Sequence, residues 1–393
     1  MKHPGGRAED WTEGGFGLYV HWPFCQSKCP YCDFNSHVAA RNDQDAWKTA
    51  YLTEIARVAH LTQGRRLQTI YFGGGTPSLM EPATVEAIIA AALTSWPGTN
   101  DPEITLEANP GSVETARFTA YRSAGVNRVS LGLQALNDSD LRRLGRTHDA
   151  RQGLRALDIA LSVFDRASFD LIYARQDQSL KDWQTELKLA IDLGASHMSL
   201  YQLTIEPGTV FNERHQRGQL KGLPDDELAA DFYDLTNAMM EDAGLPAYEI
   251  SNHSRAGQES RHNQIYWQAG DYAGIGPGAH GRLTLQGIRN STVAERQPDR
   301  WLAAALSPAG VKDLDGVLSD EDRAIEYLLM GLRLRDGIDI ARLERMMGRK
   351  FPAEPLQELV GLGMVSLSEN RLQVTKQGRP LLNAVLRKLT EAL

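Results

Sequence analysis

Three cysteines lie within eight residues near the start of the chain, at Cys25, Cys29 and Cys32, and the 393 residues contain no others. An odd, tightly grouped set does not form a disulfide framework, and free thiols persist in a reducing compartment. Thiolates are the usual ligands of iron–sulfur clusters, which generally take four of them. Three cysteines on one loop would therefore leave one iron of a [4Fe–4S] cluster open to an amino- and carboxylate-bearing molecule.

Two other interpretations of these cysteines remain open at this point. Cys29-Pro30-Tyr31-Cys32 matches the active site of a glutaredoxin-type thiol oxidoreductase, although such motifs normally lie in small thioredoxin-like domains without a third nearby cysteine. A structural zinc site is the second alternative, although it normally has four ligands.

A glycine run with Gly75, Thr76 and Pro77 ends the second predicted strand, and Glu107 ends the third. Glycine lets a ligand approach the backbone closely, because it has no side chain to block that approach. The run lacks the Lys-Ser/Thr pair of a phosphate-binding P-loop. Taken alone, the run could equally be any tight turn and Glu107 a solvated acid at a strand end, so residue types mark them only as candidate site residues.

More polar residues follow along the chain. Gln134 ends the fourth predicted strand, Arg146 comes soon after it, and Asp170 lies inside the fifth. A charged side chain within an apolar strand is costly unless it is paired or functional. Asp170 is therefore a candidate site residue.

A second motif, His262-Asn263-Gln264-Ile265-Tyr266-Trp267, lies far from the cysteines in sequence. Histidine is a standard axial ligand of haem, and tyrosine and tryptophan offer flat faces to a porphyrin. From residue types alone, the ordinary interpretation is that the histidine caps a turn and the aromatic residues pack in a core.

The elements that must position these residues alternate between strand-like and helix-like patterns. Six such units predict parallel strands with right-handed crossovers, and six fall short of the eight that close a complete barrel. The sequence therefore predicts an α/β fold, an incomplete (β/α)6 TIM-like barrel with its site at the carboxyl ends of the strands. The predicted strands are 17–22, 67–74, 103–108, 128–134, 168–174 and 197–204.

We expect four segments: a disordered tail over 1–14, the barrel over 15–250, a linking segment with the histidine motif over 251–310, and a small C-terminal domain over 311–393. The last segment contains helical patterns, with Ser319 as a candidate helix cap, and one predicted hairpin, an order typical of a winged-helix-like domain.

The formal net charge of −8 argues against binding nucleic acid, and no basic stripe accompanies the winged-helix-like pattern. No apolar run approaches the roughly 20 residues of a membrane helix, and the N-terminus lacks the apolar region of a secretory signal. These features, with the free cysteines, predict a cytoplasmic protein.

The CxxxCxxC spacing with Tyr31 before the last cysteine resembles the signature of the radical-SAM superfamily. The resemblance extends from about residue 16 to the C-terminus and favours the oxygen-independent coproporphyrinogen III oxidase branch. It implies a radical-SAM barrel, a [4Fe–4S] cluster on Cys25, Cys29 and Cys32, and S-adenosylmethionine (SAM) on the open iron. The implied SAM contacts are Tyr19, Tyr31, Gly75, Thr76, Pro77, Glu107, Gln134, Arg146 and Asp170.

Within that branch, the oxidases carry a further cysteine two residues after the third ligand, where this chain has Phe34. HNxxYW is characteristic of the haem chaperones of the HemW type. The resemblance thus implies that His262, Tyr266 and Trp267 bind haem, and that the chain transfers haem to an acceptor protein. The alternative is the oxidase, which decarboxylates two propionates. One departure from the branch is Ala174-Arg175-Gln176-Asp177-Gln178, where many members have Gly-Leu-Pro-x-Gln.

The acceptor expected from this resemblance could be membrane-associated, and the chain itself a monomer or a dimer. The sequence predicts no nucleic-acid partner.

Overall fold

Six parallel strands form the centre of the molecule, in a computed structural model that describes residues 10–39, 42–97 and 100–393. They lie side by side in chain order, and helices connect them, as the predicted (β/α)6 pattern requires. The strands are β1 (Phe16–Trp22), β2 (Thr69–Gly74), β3 (Glu103–Ala108), β4 (Arg128–Gln134), β5 (Arg166–Tyr173) and β6 (His197–Gln202).

Side chains alternate along these strands between an apolar outer face and a polar inner face, as period-2 geometry requires. In β1, Leu18 and Val20 belong to the main apolar core, whereas Tyr19 lies between them on the opposite face. In β3, Ile104 and Leu106 belong to the same core, and Glu103 and Glu107 face the other way. The barrel therefore encloses a polar interior.

The helices that connect the barrel strands lie outside them and cover their apolar face. Several begin with a side-chain cap, and Asp149, Ser179 and Ser319 each form a capping box. The helices are α1 (Trp11–Gly14), α2 (Gln44–Leu61), α3 (Pro82–Ser95), α4 (Thr115–Ser123), α5 (Asp138–Arg143), α6 (Ala150–Val163), α7 (Leu180–Asp192), α8 (Val210–Gln216), α9 (Asp226–Asp242), α10 (Arg261–Trp267), α11 (Pro298–Ala305), α12 (Asp320–Gly331), α13 (Ile340–Met347), α14 (Ala353–Gly361) and α15 (Leu382–Thr390).

The sheet extends beyond the predicted barrel at both edges. A short antiparallel strand pairs with β6, and on the other side a parallel strand pairs with β1, followed by three antiparallel strands. Residues 251–310 are thus part of the sheet rather than a linking segment, because their strands pair with the barrel. The added strands are β7 (Asn252–Ser254), β8 (Asp271–Ile275), β9 (His280–Leu285), β10 (Ile288–Val293) and β11 (Leu314–Val317).

The C-terminal domain has its own apolar core, which includes Leu328, Leu343 and Leu386. Helices α12 to α15 surround a three-stranded antiparallel sheet, as the winged-helix-like pattern predicted, and Ser319 caps α12. Residues 314–317 lie in the large sheet, so this domain begins later than residue 311. Its strands are β12 (Ile338–Asp339), β13 (Val365–Ser368) and β14 (Arg371–Val374).

The predicted tail over 1–14 is wrong for residues 10–14, and residues 1–9 lie outside the described residues. Trp11–Gly14 form the short helix α1. Arg65 stacks on the Trp11 ring at 4.3 Å from its centroid, and Arg342 pairs with Asp10 at 2.8 Å. These contacts fix the segment between the barrel and the C-terminal domain.

Within the described ranges, every helix is either too short or too polar to cross a bilayer.

Candidate functional site

The cysteine loop begins where β1 ends, at the carboxyl edge of the sheet. Two short strands, Phe24–Cys25 and His37–Val38, bracket the loop and pair in parallel. The end of β2 holds it in place, because the Gly75 amide donates to the Trp22 carbonyl at 2.7 Å and the Thr76 amide donates to the Phe24 carbonyl at 2.9 Å. The predicted location of the loop is confirmed.

Groups that can donate hydrogen bonds lie beside all three thiols, and the most distant is the Ser36 hydroxyl, 4.0 Å from Cys32 Sγ. The Thr76 hydroxyl donates to Cys25 Sγ at 3.4 Å, and Arg146 Nη1 donates to Cys29 Sγ at 3.3 Å. Cys25 is buried, and burial raises its pKa. Burial likewise raises the pKa of Cys32, which is half-buried. Donors to cluster sulfurs stabilise the thiolate form and tune the potential of an iron–sulfur cluster.

The glycines at the end of β2 allow its backbone to approach β1 and the cysteine loop closely. A Cβ on Gly75 would lie 2.7 Å from the Phe24 carbonyl oxygen, and one on Gly73 would lie 2.9 Å from the Tyr19 ring. No side chain larger than hydrogen fits at either position without movement. The end of β2 therefore packs directly against β1 and the start of the cysteine loop, and this close packing requires glycine at both positions.

Two carboxylates face the barrel interior beneath the loop. Burial raises the pKa of Glu107 to about 7, and a hydrogen bond from Tyr71 opposes that rise. Burial raises the pKa of Asp170 to about 6, and bonds from Ser199 and Ser130 oppose it. Two such groups that titrate near neutral pH are typical of a functional site.

Gln134 and Arg146 occupy the same side of the interior. Gln134 has a φ of 72°, in the left-handed region that side-chain-bearing residues rarely adopt, and such strain concentrates at functional sites. Arg146 donates to the Gly132 carbonyl at 2.9 Å and approaches the Tyr31 hydroxyl at 3.5 Å. Arg146 thus links the fourth strand to the cysteine loop.

Two residues near the site escaped the sequence interpretation. Tyr71 donates its hydroxyl to Glu107 Oε1 at 2.7 Å, and its ring stacks on that of Tyr19 at 6.3 Å. His21 Nδ1 lies 2.9 Å from the Tyr19 hydroxyl, and its Nε2 lies 2.9 Å from the Asn35 carbonyl. His21 stands two residues from the named Tyr19 on β1, and this alternation is the signal that could have found it. Tyr71 pairs in register with Tyr19 on the neighbouring strand, a relationship that the sequence alone does not show.

The HNxxYW motif forms α10, which lies near the amino ends of β1 and β2. His262 is only 1% exposed, and its ring nitrogens lie 2.6 Å from the hydroxyls of Thr69 and Tyr266. Burial lowers the pKa of His262 to about 3, so the ring is neutral. This arrangement matches the core-packing interpretation of the motif.

Trp267, at the end of α10, is half-buried, and its Nε1 has no hydrogen-bond partner among the described residues. The structure therefore separates the two predicted groups: the SAM candidates gather around the cysteine loop, whereas the haem candidates lie beneath them.

The loop that departs from the branch pattern has two residues in the left-handed region, Ala174 at φ 57° and Asp177 at φ 56°. Arg175 between them pairs with Asp140 at 2.8 Å and also with Glu186. Arg175 is thus neutralised by residues of neighbouring helices, away from the cysteine thiols.

The residues present fit a cubane cluster and its nucleoside ligand. In the described part of the chain, no three Cys, His, Asp or Glu side chains converge on a single-ion position, whereas a cubane offers a different iron to each thiolate. Cys25, Cys29 and Cys32 would hold such a cluster. When bound, a cluster with SAM supplies one-electron cleavage of the sulfonium.

Comparisons with known proteins agree with this geometry. The Radical SAM superfamily matches residues 19–190, and the HemN C-terminal domain matches residues 318–381. Heme chaperone HemW of Escherichia coli is 34% identical over 373 residues, covering 94% of this chain and 96% of that protein. The mitochondrial radical S-adenosyl methionine domain-containing protein 1 of Bos taurus is 37% identical over 390 residues, covering 96% and 87% of the two chains.

Among solved structures, coproporphyrinogen III oxidase (HemN) from Escherichia coli, a radical SAM enzyme, superposes with a TM-score of 0.80 at 22% identity, covering 99% of this chain and 92% of that one. This likeness confirms the predicted α/β radical-SAM fold and extends to the C-terminal domain. With the sequence relatives, it shows that the chain belongs to the radical-SAM superfamily, in the family that includes the heme chaperone HemW.

Proposed function

We propose that this chain is a haem chaperone, which carries a [4Fe–4S] cluster and SAM, binds haem and transfers it to an acceptor protein. The observation that carries the proposal is the 34% identity to Escherichia coli HemW over nearly the full length of both chains. Phe34, 58% exposed beside the cysteine loop, supports it, because the related oxidases have a cysteine there.

Anaerobic reconstitution followed by haem titration tests this proposal. We expect a saturable Soret change at one haem per chain, and loss of bound haem to an added haem-free acceptor protein. A protein with a full cluster that produces no Soret change would contradict the proposal.

The second candidate is an oxygen-independent coproporphyrinogen III oxidase, favoured by the 0.80 TM-score with HemN. Phe34 argues against it. Steady anaerobic formation of protoporphyrinogen from coproporphyrinogen by the reduced, SAM-loaded protein would support the oxidase over the chaperone.

The haem-binding residues remain a prediction. His262, Tyr266 and Trp267 are the candidates from the motif, but axial ligation through His262 would require its ring to leave the hydroxyls of Thr69 and Tyr266. Comparing haem affinity in the wild type and in His262→Ala decides whether this histidine is a ligand.

The proposed compartment is the cytoplasm, because three free cysteines require reducing surroundings. The proposed acceptor is a haem enzyme, soluble or membrane-associated, and the chaperone acts as a monomer or dimer. Sedimentation of the reconstituted protein with and without haem distinguishes the two oligomeric states.

A further inference from the structure

The ring of His262 is held rigidly inside the barrel. The Thr69 hydroxyl oxygen lies 2.6 Å from Nδ1, and the Tyr266 hydroxyl oxygen lies 2.6 Å from Nε2. Because each nitrogen has its own hydroxyl partner and the residue is only 1% exposed, rotation of the ring would break buried hydrogen bonds. The histidine is therefore fixed in one orientation.

This ring lies directly against Tyr71, which adjoins the proposed SAM contacts Tyr19 and Glu107. Its centroid is 5.0 Å from that of Tyr71, with 24° between the ring planes. Tyr71 in turn donates to Glu107 at 2.7 Å and stacks on Tyr19 at 6.3 Å. A continuous series of contacts thus runs from α10 to the interior carboxylate.

The backbone of α10 is anchored as firmly as the side chain. The Glu103 carboxylate accepts from the backbone amides of Arg261 at 3.2 Å and His262 at 3.0 Å. Glu103 also pairs with Arg166 at 2.7 Å and is itself fully buried. A carboxylate at a helix N-terminus satisfies unpaired amides and complements the helix dipole. The position of the histidine relative to β2 is therefore set by strand β3.

We propose that His262 is a positioning residue for the SAM site: it holds the Tyr71 ring so that the Tyr71 hydroxyl orients the Glu107 carboxylate towards bound SAM. The inference rests on the SAM part of the proposed function. It gives the histidine of the HNxxYW motif a role at the nucleoside site that does not depend on haem ligation. Tyr266 and Thr69 act through the same ring.

The experiment compares His262→Ala and His262→Phe with the wild type, after anaerobic reconstitution. For each protein we would measure the iron and sulfide content, and the SAM affinity by equilibrium dialysis. We would also measure the SAM-induced change in the EPR spectrum of the reduced cluster, and the haem affinity. We expect His262→Ala to weaken SAM binding by about tenfold, the loss expected when a hydrogen bond to a charged group is misaligned. Cluster content should stay within about twofold of the wild type.

His262→Phe keeps a ring against Tyr71 and loses both hydrogen bonds, so its SAM affinity should lie between those of the wild type and the alanine variant. In a Tyr71→Phe background, which lacks the bond to Glu107, His262→Ala should cause little further loss. The matched control is His253→Phe, at a 1% exposed histidine on the edge strand β7. This control should leave SAM affinity unchanged.

Unchanged SAM affinity in His262→Ala, in a protein with a full cluster, would overturn the inference. If His262→Ala does not hold a cluster, Tyr266→Phe and Thr69→Val replace it, since each removes one hydroxyl that bonds to the His262 ring. Wild-type SAM affinity in both of these variants would also overturn the inference. Failure of the wild type itself to bind SAM is a different result, which would contradict the proposed function.

Discussion

Tyr71 and Glu107 are joined across neighbouring strands by a hydrogen bond of 2.7 Å from the phenol to the carboxylate. The two residues stand on the inner faces of β2 and β3, and each is half-buried. Burial raises the pKa of Glu107 to about 7 while the Tyr71 bond opposes the rise. The carboxylate therefore changes charge close to neutral pH.

Replacing Glu107 by glutamine should make stability less dependent on pH. The pKa of Glu107 rises from 4.5 in the unfolded chain to about 7 in the folded protein, so the folded state binds the proton more tightly. The wild type consequently loses stability as pH rises from about 4.5 to 7. Glu107→Gln should gain on the order of 1 kcal/mol over the wild type at pH 8 after solvent screening, and less at pH 5.5. Urea unfolding at the two pH values measures the free energy of unfolding of each protein. An equal gain in stability at both pH values would contradict the raised pKa of Glu107.

Arg146 should raise the reduction potential of the cluster, because its cation lies 3.3 Å from Cys29 Sγ. Removing a positive charge and a donor from a cluster sulfur makes reduction harder. Arg146→Gln should lower the potential by roughly tens of millivolts in an anaerobic redox titration monitored by EPR. Arg143→Gln is the control, since Arg143 is exposed and pairs with Asp177 at 3.3 Å. Equal potentials in the two variants would refute the assignment.

Gly75 should tolerate no side chain. An added Cβ would lie 2.7 Å from the Phe24 carbonyl oxygen, and that backbone cannot move without shifting Cys25. Gly75→Ala should cost about 1–3 kcal/mol of unfolding free energy and reduce the iron bound per chain. At Gly111 the nearest atom to an added Cβ is 3.7 Å away, so Gly111→Ala should behave as the wild type. Full cluster content in Gly75→Ala would contradict this prediction, because it would show that the cysteine loop can shift to accommodate a methyl group.

Each cysteine should be indispensable for the cluster. Cys29→Ala should remove the iron–sulfur absorbance, because only two of the three thiolates remain. Ser36→Ala is the control, since its hydroxyl lies 4.0 Å from Cys32 Sγ and should leave the absorbance intact. A content of four irons and four sulfides per wild-type chain would also exclude thiol oxidoreductase chemistry. A Cys29→Ala protein that keeps the full iron–sulfur absorbance would contradict the three-cysteine site.

Arg342 should be a major stabilising residue. Its side chain is 4% exposed, pairs with Asp10 at 2.8 Å and donates to the Gln268 carbonyl at 2.7 Å. Arg342→Met leaves the half-buried Asp10 carboxylate and the Gln268 carbonyl without this partner and should cost about 3 kcal/mol. Arg345→Met, at an arginine 54% exposed, should cost less than about 1 kcal/mol in urea unfolding. Similar losses in the two variants would show that burial is not the cause.

Local patterns predicted the barrel and the cysteine loop, because strand alternation and the position of Cys25 after β1 are encoded within a few residues. They did not predict the edges of the sheet. Asp271–Ile275 pairs with Phe16–Trp22, and that pairing depends on contacts between segments more than 240 residues apart, which short windows cannot register.

The candidate site also contains residues that local sequence patterns indicate and residues that they do not. Glu107 and Asp170 were found because acids on apolar strands are conspicuous, whereas Tyr71 was missed because an aromatic residue in a strand is ordinary. For the HNxxYW motif, residue types alone favoured core packing, and the buried position of His262 agrees with that interpretation.

The C-terminal domain shares atoms of its core with the barrel. Ala269 belongs to the apolar cluster around Leu328, and the Arg335 amide donates to the Tyr248 carbonyl at 2.9 Å. The ion pair between Asp10 and Arg342 also joins the first described residues to the C-terminal domain. Heat should consequently melt the molecule in a single calorimetric peak, and the C-terminal domain expressed by itself would carry an uncovered apolar face.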